Sequence, residues 1–231
     1  MGKEAAKLLI NQGHSVYALA RRMEEMQDLQ QLGGHPMQLD ITHEDNVRQV
    51  VETIVQREGK IDVLINNAGY GSYGAVEDVS IEEAKRQFEV NLFGLARITQ
   101  AVLPIMRKNK SGRIVNISSI GGEIYTPFGA WYHATKHALE GWSDCLRIET
   151  KPFGIDVVIV EPGGVLTPWG TIAAENLKKT AENSAYKTRV NKTADYLAKM
   201  YTEGKNLSDP ASVAAKIVKA SIVRKPRTRY A

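Results

Sequence analysis

The sequence predicts a doubly wound α/β domain, a parallel sheet with helices on both faces. Three observations predict it. Short apolar runs such as 61–65 and 157–160 lack the polar alternation of a half-exposed strand, so they read as strands buried on both sides. Stretches with helical apolar spacing separate these runs. The least regular region, 166–207, follows the carboxyl end of a strand, where such sheets hold their ligands.

In chain order, Ala5, Leu8 and Leu9 recur at helical spacing, and Gly13 stops that helix. Residues 16–20 form a short strand. Thr42 caps a helix reaching about residue 57, with Val47, Val50, Val51 and Ile54 on one face. The run 61–65 is a buried strand. Ser80 with Glu83 makes a capping box for a long helix, bent near Asn91 and ending at about residue 108. Residues 114–117 form a strand, 130–150 a helix, and 157–160 another strand. Asp209-Pro210 opens a last helix, with proline at its first position. The basic run RKPRTRY at 224–230 reads as the approach to a strand rather than a binding tail. The polar stretch 166–207 carries short helical patterns. It reads as a lid, since long loops in compact domains are usually functional. With no linker, repeat or low-complexity segment, residues 1–231 make one domain.

Composition removes several functions. The net charge of +4 comes from scattered Lys and Arg, so no nucleic-acid surface is implied. No apolar run approaches the roughly 20 residues of a membrane span, and no signal peptide is visible. The single cysteine, Cys145, permits no disulfide and no cysteine-rich zinc site. It fits a reducing compartment, so a cytoplasmic protein is expected, and its helical setting reads as a small buried hydrophobe. Of five histidines only His133 and His137 stand at helical spacing. They lie one residue beyond Tyr132 and Lys136, read as surface side chains, and give no metal site.

Four stretches stand in order: NNAG at 66–69, Asn91 within FEVNLFG, ISS at 117–119, and YHATK at 132–136. Ser119 precedes Tyr132 by 13 residues, and EPGGVLT occupies 161–167. Together these resemble the short-chain dehydrogenase/reductase family, over nearly the whole chain, and within it the branch of hydroxysteroid and retinol dehydrogenases. The resemblance implies a Rossmann-type fold and a nicotinamide cofactor. It also implies an apolar or bulky ketone or alcohol as substrate, and a homodimer or homotetramer. Leu92, Leu95, Leu139 and Trp142 fit either the subunit interface or the core.

The chemistry of these residue types agrees. Tyr132 and Lys136 share one helix face, about 6 Å apart along the axis. A free phenol, with a pKa near 10, shuttles protons poorly at neutral pH; a nearby ammonium lowers that value. Tyr132 can then exchange a proton with a carbonyl oxygen while hydride reaches its carbon, and Ser119 can hold that oxygen. Ser118 is the neighbouring alternative, but the family's spacing selects Ser119. By resemblance, Lys136 also binds the nicotinamide ribose and Asn91 holds a water leading to solvent. Asn67, Ala68 and Gly69 would pass the adenine ribose. Asp40 and Ile41, in LDIT, where Asp40 ends a strand, resemble the adenine contact, although Asp40 also suits a helix cap. Pro162, Gly163, the Val165 backbone and Thr167 would lie by the nicotinamide. GYGSYG at 69–74 reads as a substrate-side turn rather than a phosphate loop.

An acidic residue at the end of the second strand would bind a ribose 2′-hydroxyl and select NAD. That place reads Ala20-Arg21-Arg22, and two guanidinium groups can clasp a 2′-phosphate, so NADP (NADPH) is expected, with Arg21 ahead of Arg22. A dinucleotide fold opens with a strand and a glycine-rich turn before its first helix. Here Gly2 stands where the last turn glycine belongs. Met1 is therefore expected to be internal and the RYA ending to interrupt a strand, so the sequence reads as truncated at both ends. The rival functions are a sugar-nucleotide epimerase or dehydratase and a non-catalytic NADP-binding regulator. The short remainder after the strand at 157–160 opposes the first; the retained Asn91, Ser119, Tyr132 and Lys136 oppose the second.

Overall fold

All strand pairings are parallel in the computed structural model, which describes residues 1–204 and 206–231. Residue 205, inside the stretch read as a lid, lies outside the described residues. Strands β1 (Tyr17–Ala20) and β2 (His35–Gln38) pair with each other. A second sheet runs in the order β3 (Val63–Asn66), β4 (Gly112–Ile117), β5 (Ile155–Val160), β6 (Arg229–Tyr230). The helices are α1 (Gly2–Asn11), α2 (Gln27–Gln31), α3 (Glu44–Glu58), α4 (Ile81–Phe88), α5 (Leu95–Asn109), α6 (Ala130–Thr150), α7 (Trp169–Thr180), α8 (Lys187–Glu203) and α9 (Pro210–Ile222).

Alternate strand residues feed opposite cores, as the two-residue period requires. Leu64, Ile114, Ile155 and Val157 pack with Val47, Val50, Val51 and Ile54 of α3 and Ile98, Val102 and Met106 of α5. Val115, Ile117, Val158 and Val160 pack on the other face with Ala5 and Leu9 of α1 and Val213, Ala214 and Ile217 of α9. The continuous apolar runs are thus strands covered on both sides, and the fold is the doubly wound Rossmann-type α/β fold. Among the described residues no helix is long and apolar enough to cross a membrane.

Several local expectations change. The cap of α3 is His43, without a side-chain hydrogen bond; Thr42 instead donates its amide and hydroxyl to Asp40 Oδ1 at 3.0 and 2.7 Å. Ser80 does cap α4, accepting from the Glu83 amide at 3.1 Å, but the Glu83 carboxylate takes the Tyr70 hydroxyl rather than closing the box. The bend expected near Asn91 is a π-helical segment over Glu89–Gly94, set between α4 and α5. In 166–207 two full helices, α7 and α8, form a hairpin whose small core is Ala174, Leu177, Ala181, Val190 and Ala194.

Two side chains of α6 are placed differently from expectation. His133 is buried: its ring bonds Gly121 O at 2.8 Å and the Thr126 amide at 3.1 Å. Cys145 is exposed. Leu95 and Leu139 are core, and Trp142 packs half-buried against the α3–α5 side.

Candidate active site

The expected catalytic side chains meet at the carboxyl ends of β3, β4 and β5. Asn91 is held in the π-helical turn, whose extra residue turns its amide inward. Its Nδ2 donates to Tyr70 O at 2.8 Å and Thr135 Oγ1 at 3.1 Å, and its Oδ1 accepts from the Tyr70 amide at 3.0 Å. A Cβ on Gly69 would lie 3.3 Å from Asn91 Oδ1 and 3.9 Å from Lys136 Nζ. A side chain there would crowd the Asn91 amide, which would have to give by a few tenths of an ångström.

Of the two serines after β4, Ser119 is the one near enough to the Tyr132 hydroxyl to pull its pKa down. Its hydroxyl also accepts from the Gly121 amide at 3.0 Å and donates to Pro162 O at 3.4 Å. Ser118 is buried, with no partner for its Oγ among the described residues. Burial holds the Tyr132 hydroxyl above the ordinary phenol value, and the nearby Ser119 hydroxyl pulls the other way. The expected lowering of this phenol by Lys136 is not present in this arrangement. Lys136 Nζ instead donates to Ile117 O at 2.9 Å. Its ammonium is pushed down to about 8 by burial, against the opposing charge of Glu140 one turn on.

That shift has a stability consequence. Between pH 8 and 10 the unfolded chain holds a proton on residue 136 that the folded chain has released, so wild-type stability rises with pH there. Lys136→Met is expected to lack this rise. In urea unfolding at pH 7 and pH 10, the wild type should gain about 1–3 kcal/mol on the variant.

The cofactor-side residues fall into three groups. Asn67, Ala68 and Gly69 are exposed beyond β3, and Gly2 abuts the Asn67 side chain, where a Cβ would lie 2.6 Å from Nδ2. Arg21 and Asp40 line a cavity of about 490 Å³ with Thr42, Lys85, Arg86, Glu89 and Val90. Arg22 instead turns to Glu25, at 2.9 Å, and Ile41 packs on Gly94 while its carbonyl accepts from Arg97. Hydrogen bonds from the Thr42 hydroxyl and amide hold the Asp40 carboxyl below its usual range, with His43 and Arg21 adding to this. Beyond β5, Pro162 O accepts from the Ile120 amide, Gly163 is exposed, Val165 bridges to Ser208, and Thr167 Oγ1 donates to Val165 O at 3.4 Å.

These residues fit a dinucleotide. The cavity lies in the usual size range for ligand sites and is lined by three cations and two carboxylates, and the exposed residues 67–69 after β3 end at Gly69, beside Lys136.

Two features were not anticipated. Tyr73, Tyr132 and Trp169 form an aromatic cluster, with ring centroids 5.7 Å (Tyr73–Tyr132), 5.9 Å (Tyr73–Trp169) and 5.6 Å (Tyr132–Trp169) apart. Trp169 begins α7, so the hairpin lies against the tyrosine. Tyr73 belongs to the turn read as substrate-side, but nothing in the spacing pointed to Trp169. Behind the site, Arg229 of β6 reaches Glu140 Oε2 at 3.1 Å, Asp144 Oδ2 at 2.8 Å and Glu161 Oε1 at 3.0 Å.

Comparison with known proteins adds identity. A family model described as short chain dehydrogenase matches residues 1–202. A probable short-chain type dehydrogenase/reductase of Helicobacter pylori is 38% identical over 230 residues, covering 100% of this chain and 83% of that protein. A 3-ketodihydrosphingosine reductase of Bacteroides thetaiotaomicron is 38% identical, covering 99% of this chain and 82% of that protein. The crystal structure of a short-chain dehydrogenase from Streptomyces avermitilis superposes with a TM-score of 0.84 at 36% identity, covering 98% and 82% of the two chains.

Proposed function

The chain belongs to the short-chain dehydrogenase/reductase family of oxidoreductases, and from that premise we propose that it interconverts a carbonyl and an alcohol with NADP(H), Tyr132 acting as general acid and base. The observation that carries this reading is the Tyr132 side chain packed against Tyr73 and Trp169, with Ser119 beside its hydroxyl and Lys136 one helical turn away.

The nicotinamide group, when bound, supplies or takes the hydride. The chain's own residues do the rest. Ser119 and Tyr132 direct two hydroxyls at one carbonyl oxygen, which fixes the carbonyl and stabilises charge growing on that oxygen. Burial keeps the Tyr132 proton in place at neutral pH, ready for donation in the reducing direction. Lys136 turns from Ile117 O to the ribose and replenishes the proton. Asn91 fixes the Tyr70 segment that the Lys136 head group faces. Asn67, Ala68, Gly69, Pro162, Gly163, Val165 and Thr167 hold the cofactor backbone and nicotinamide, and Asp40 the adenine. Gly2 and Ile41 shape the same walls through Asn67 and Gly94.

Selection of NADP rests on Arg21, which lines the cavity while Arg22 is paired with Glu25. An apolar substrate is favoured by the Tyr73–Trp169 wall against Tyr132. The relative named for reducing 3-ketodihydrosphingosine supports the same class. Residues 166–207 act as the lid. A cytoplasmic homodimer or homotetramer completes the reading; Phe93 and Ile148 are exposed on the segments expected to pack between subunits. The epimerase and regulator readings find no comparable support.

Titration with NADPH and NADH, followed by nicotinamide fluorescence, tests the cofactor. NADPH should bind at least about tenfold more tightly, and Arg21→Ala should bring the two within a few-fold. Tighter binding of NADH overturns the reading.

A further inference from the structure

We infer that Lys85 and Arg86 of α4 build the outer wall of the adenosine 2′-phosphate site, Lys85 opposing the phosphate and Arg86 covering the adenine. This rests on the NADP reading and adds residues from an element to which the sequence motifs assign no cofactor role.

The argument begins with charge. The cavity beyond β1 and β2 is lined by Arg21, Lys85 and Arg86 against two carboxylates, Asp40 and Glu89. Glu89 pairs with Arg97 at 2.7 Å, and Asp40, its Oδ1 held by the Thr42 amide and hydroxyl, keeps a charge on which Arg21 acts, so two cations of the lining remain in excess. Among the described residues neither Arg21 nor Lys85 has an ion-pair partner, and Arg86 has Glu83 only at 3.7 Å. Unmatched cations around a concave wall are what a phosphate dianion requires.

Geometry separates the two roles. Lys85 and Glu89 stand four apart on one helical row, Arg86 and Val90 on the next, so both rows face the same cavity. The Arg86 guanidinium lies 5.8 Å from the Tyr70 ring centroid, and Tyr70 donates to Glu83 Oε1 at 3.0 Å. The Arg86 side chain is 68% exposed, so its guanidinium has Tyr70 on one side and a face open to stack on a purine. Lys85 is exposed and lacks such a brace, so it acts as a movable point charge.

Binding of 2′,5′-ADP and 5′-ADP, measured by calorimetry on the intact protein, tests this without turnover. Lys85→Ala should weaken 2′,5′-ADP about 5–10-fold and leave 5′-ADP within twofold, and Lys85→Glu should weaken it further. Arg86→Ala should weaken both ligands about 3–10-fold. If wild type prefers 2′,5′-ADP and Arg21→Ala removes the preference, while the Lys85 and Arg86 variants bind like wild type, the wall is overturned and the NADP reading stands. If wild type binds the two ligands alike, both are overturned.

Discussion

Tyr132→Phe is expected to lower carbonyl reduction by about 10²–10⁴-fold while NADPH binding stays within about twofold of wild type. The substitution removes one hydroxyl and leaves the ring between Tyr73 and Trp169, so the aromatic cluster and the fold remain. What is lost is the proton donor, and Ser119, an aliphatic alcohol and a far weaker acid than a phenol, holds the carbonyl oxygen without replacing it. The wild-type pH profile follows from the same geometry. Burial holds the phenol above its ordinary value, so it stays protonated across neutral pH. Reduction, which needs the acid, should vary little near neutrality; oxidation, which needs the phenolate, should climb toward alkaline pH. Steady-state rates in both directions, paired with fluorescence titration, measure this. A variant that reduces carbonyls at the wild-type rate removes Tyr132 from the chemistry.

Arg229→Ala should be the most destabilising change at a polar position. Its guanidinium is the shared partner of Glu140, Asp144 and Glu161, and the Glu140 side chain is only 8% exposed. Removing one member of a buried ion pair typically costs about 3–5 kcal/mol; with Arg229 itself partly open, about 2–4 kcal/mol is expected near pH 7.5. The loss should shrink on acidification. Asp144 is held below its usual range chiefly by the Arg229 hydrogen bond, so the wild type forfeits that contribution as pH falls through the lowered value. Glu161 is held above its usual range by burial and by the charge of Glu140, against Arg229. Without Arg229 it takes up a proton more readily in the folded state than in the unfolded one, which favours the variant's fold at lower pH. Urea unfolding at pH 7.5 and at about pH 3, below the ordinary carboxylate value, reads the difference directly; a gap that widens toward the acid side contradicts the assignment.

How much of this could be read from residues alone depended on redundancy. Strands β3, β4 and β5 were legible because both faces are covered, so most positions are apolar, with Asn66, Arg113, Asn116 and Asp156 the polar exceptions. Strand β2 was legible only as a strand ending near Asp40, because HPMQ mixes proline and polar ends and its extent is set by its partner β1. The lid helices carry polar faces and a core of mostly alanine and valine, which left only short patterns. Cys145 was misplaced for a reason the sequence did contain. Lys136, Leu139, Ser143 and Leu146 define the buried stripe of α6, and His137, Gly141, Cys145 and Ile148 lie on the opposite one. His133 shows the reverse case: its burial depends on the loop after β4, which no helical period reveals. In the site, order and spacing identified the catalytic set, whereas Trp169, Lys85 and Arg86 come together only through tertiary placement.

The π-helical turn at Glu89–Gly94 also acts as a phase correction. Between Gln87 and Met106 an unbroken α-helix would drift by about 100° around its axis, and the extra residue in one wide turn removes about that much. Gln87 therefore still reaches Tyr70 O while Met106 is wholly buried in the sheet core. Chain length in this segment is under tighter constraint than side-chain identity. Deleting a single residue would rotate α4 relative to α5 and swing Lys85 and Arg86 away from the cavity, although no residue touching either would have changed.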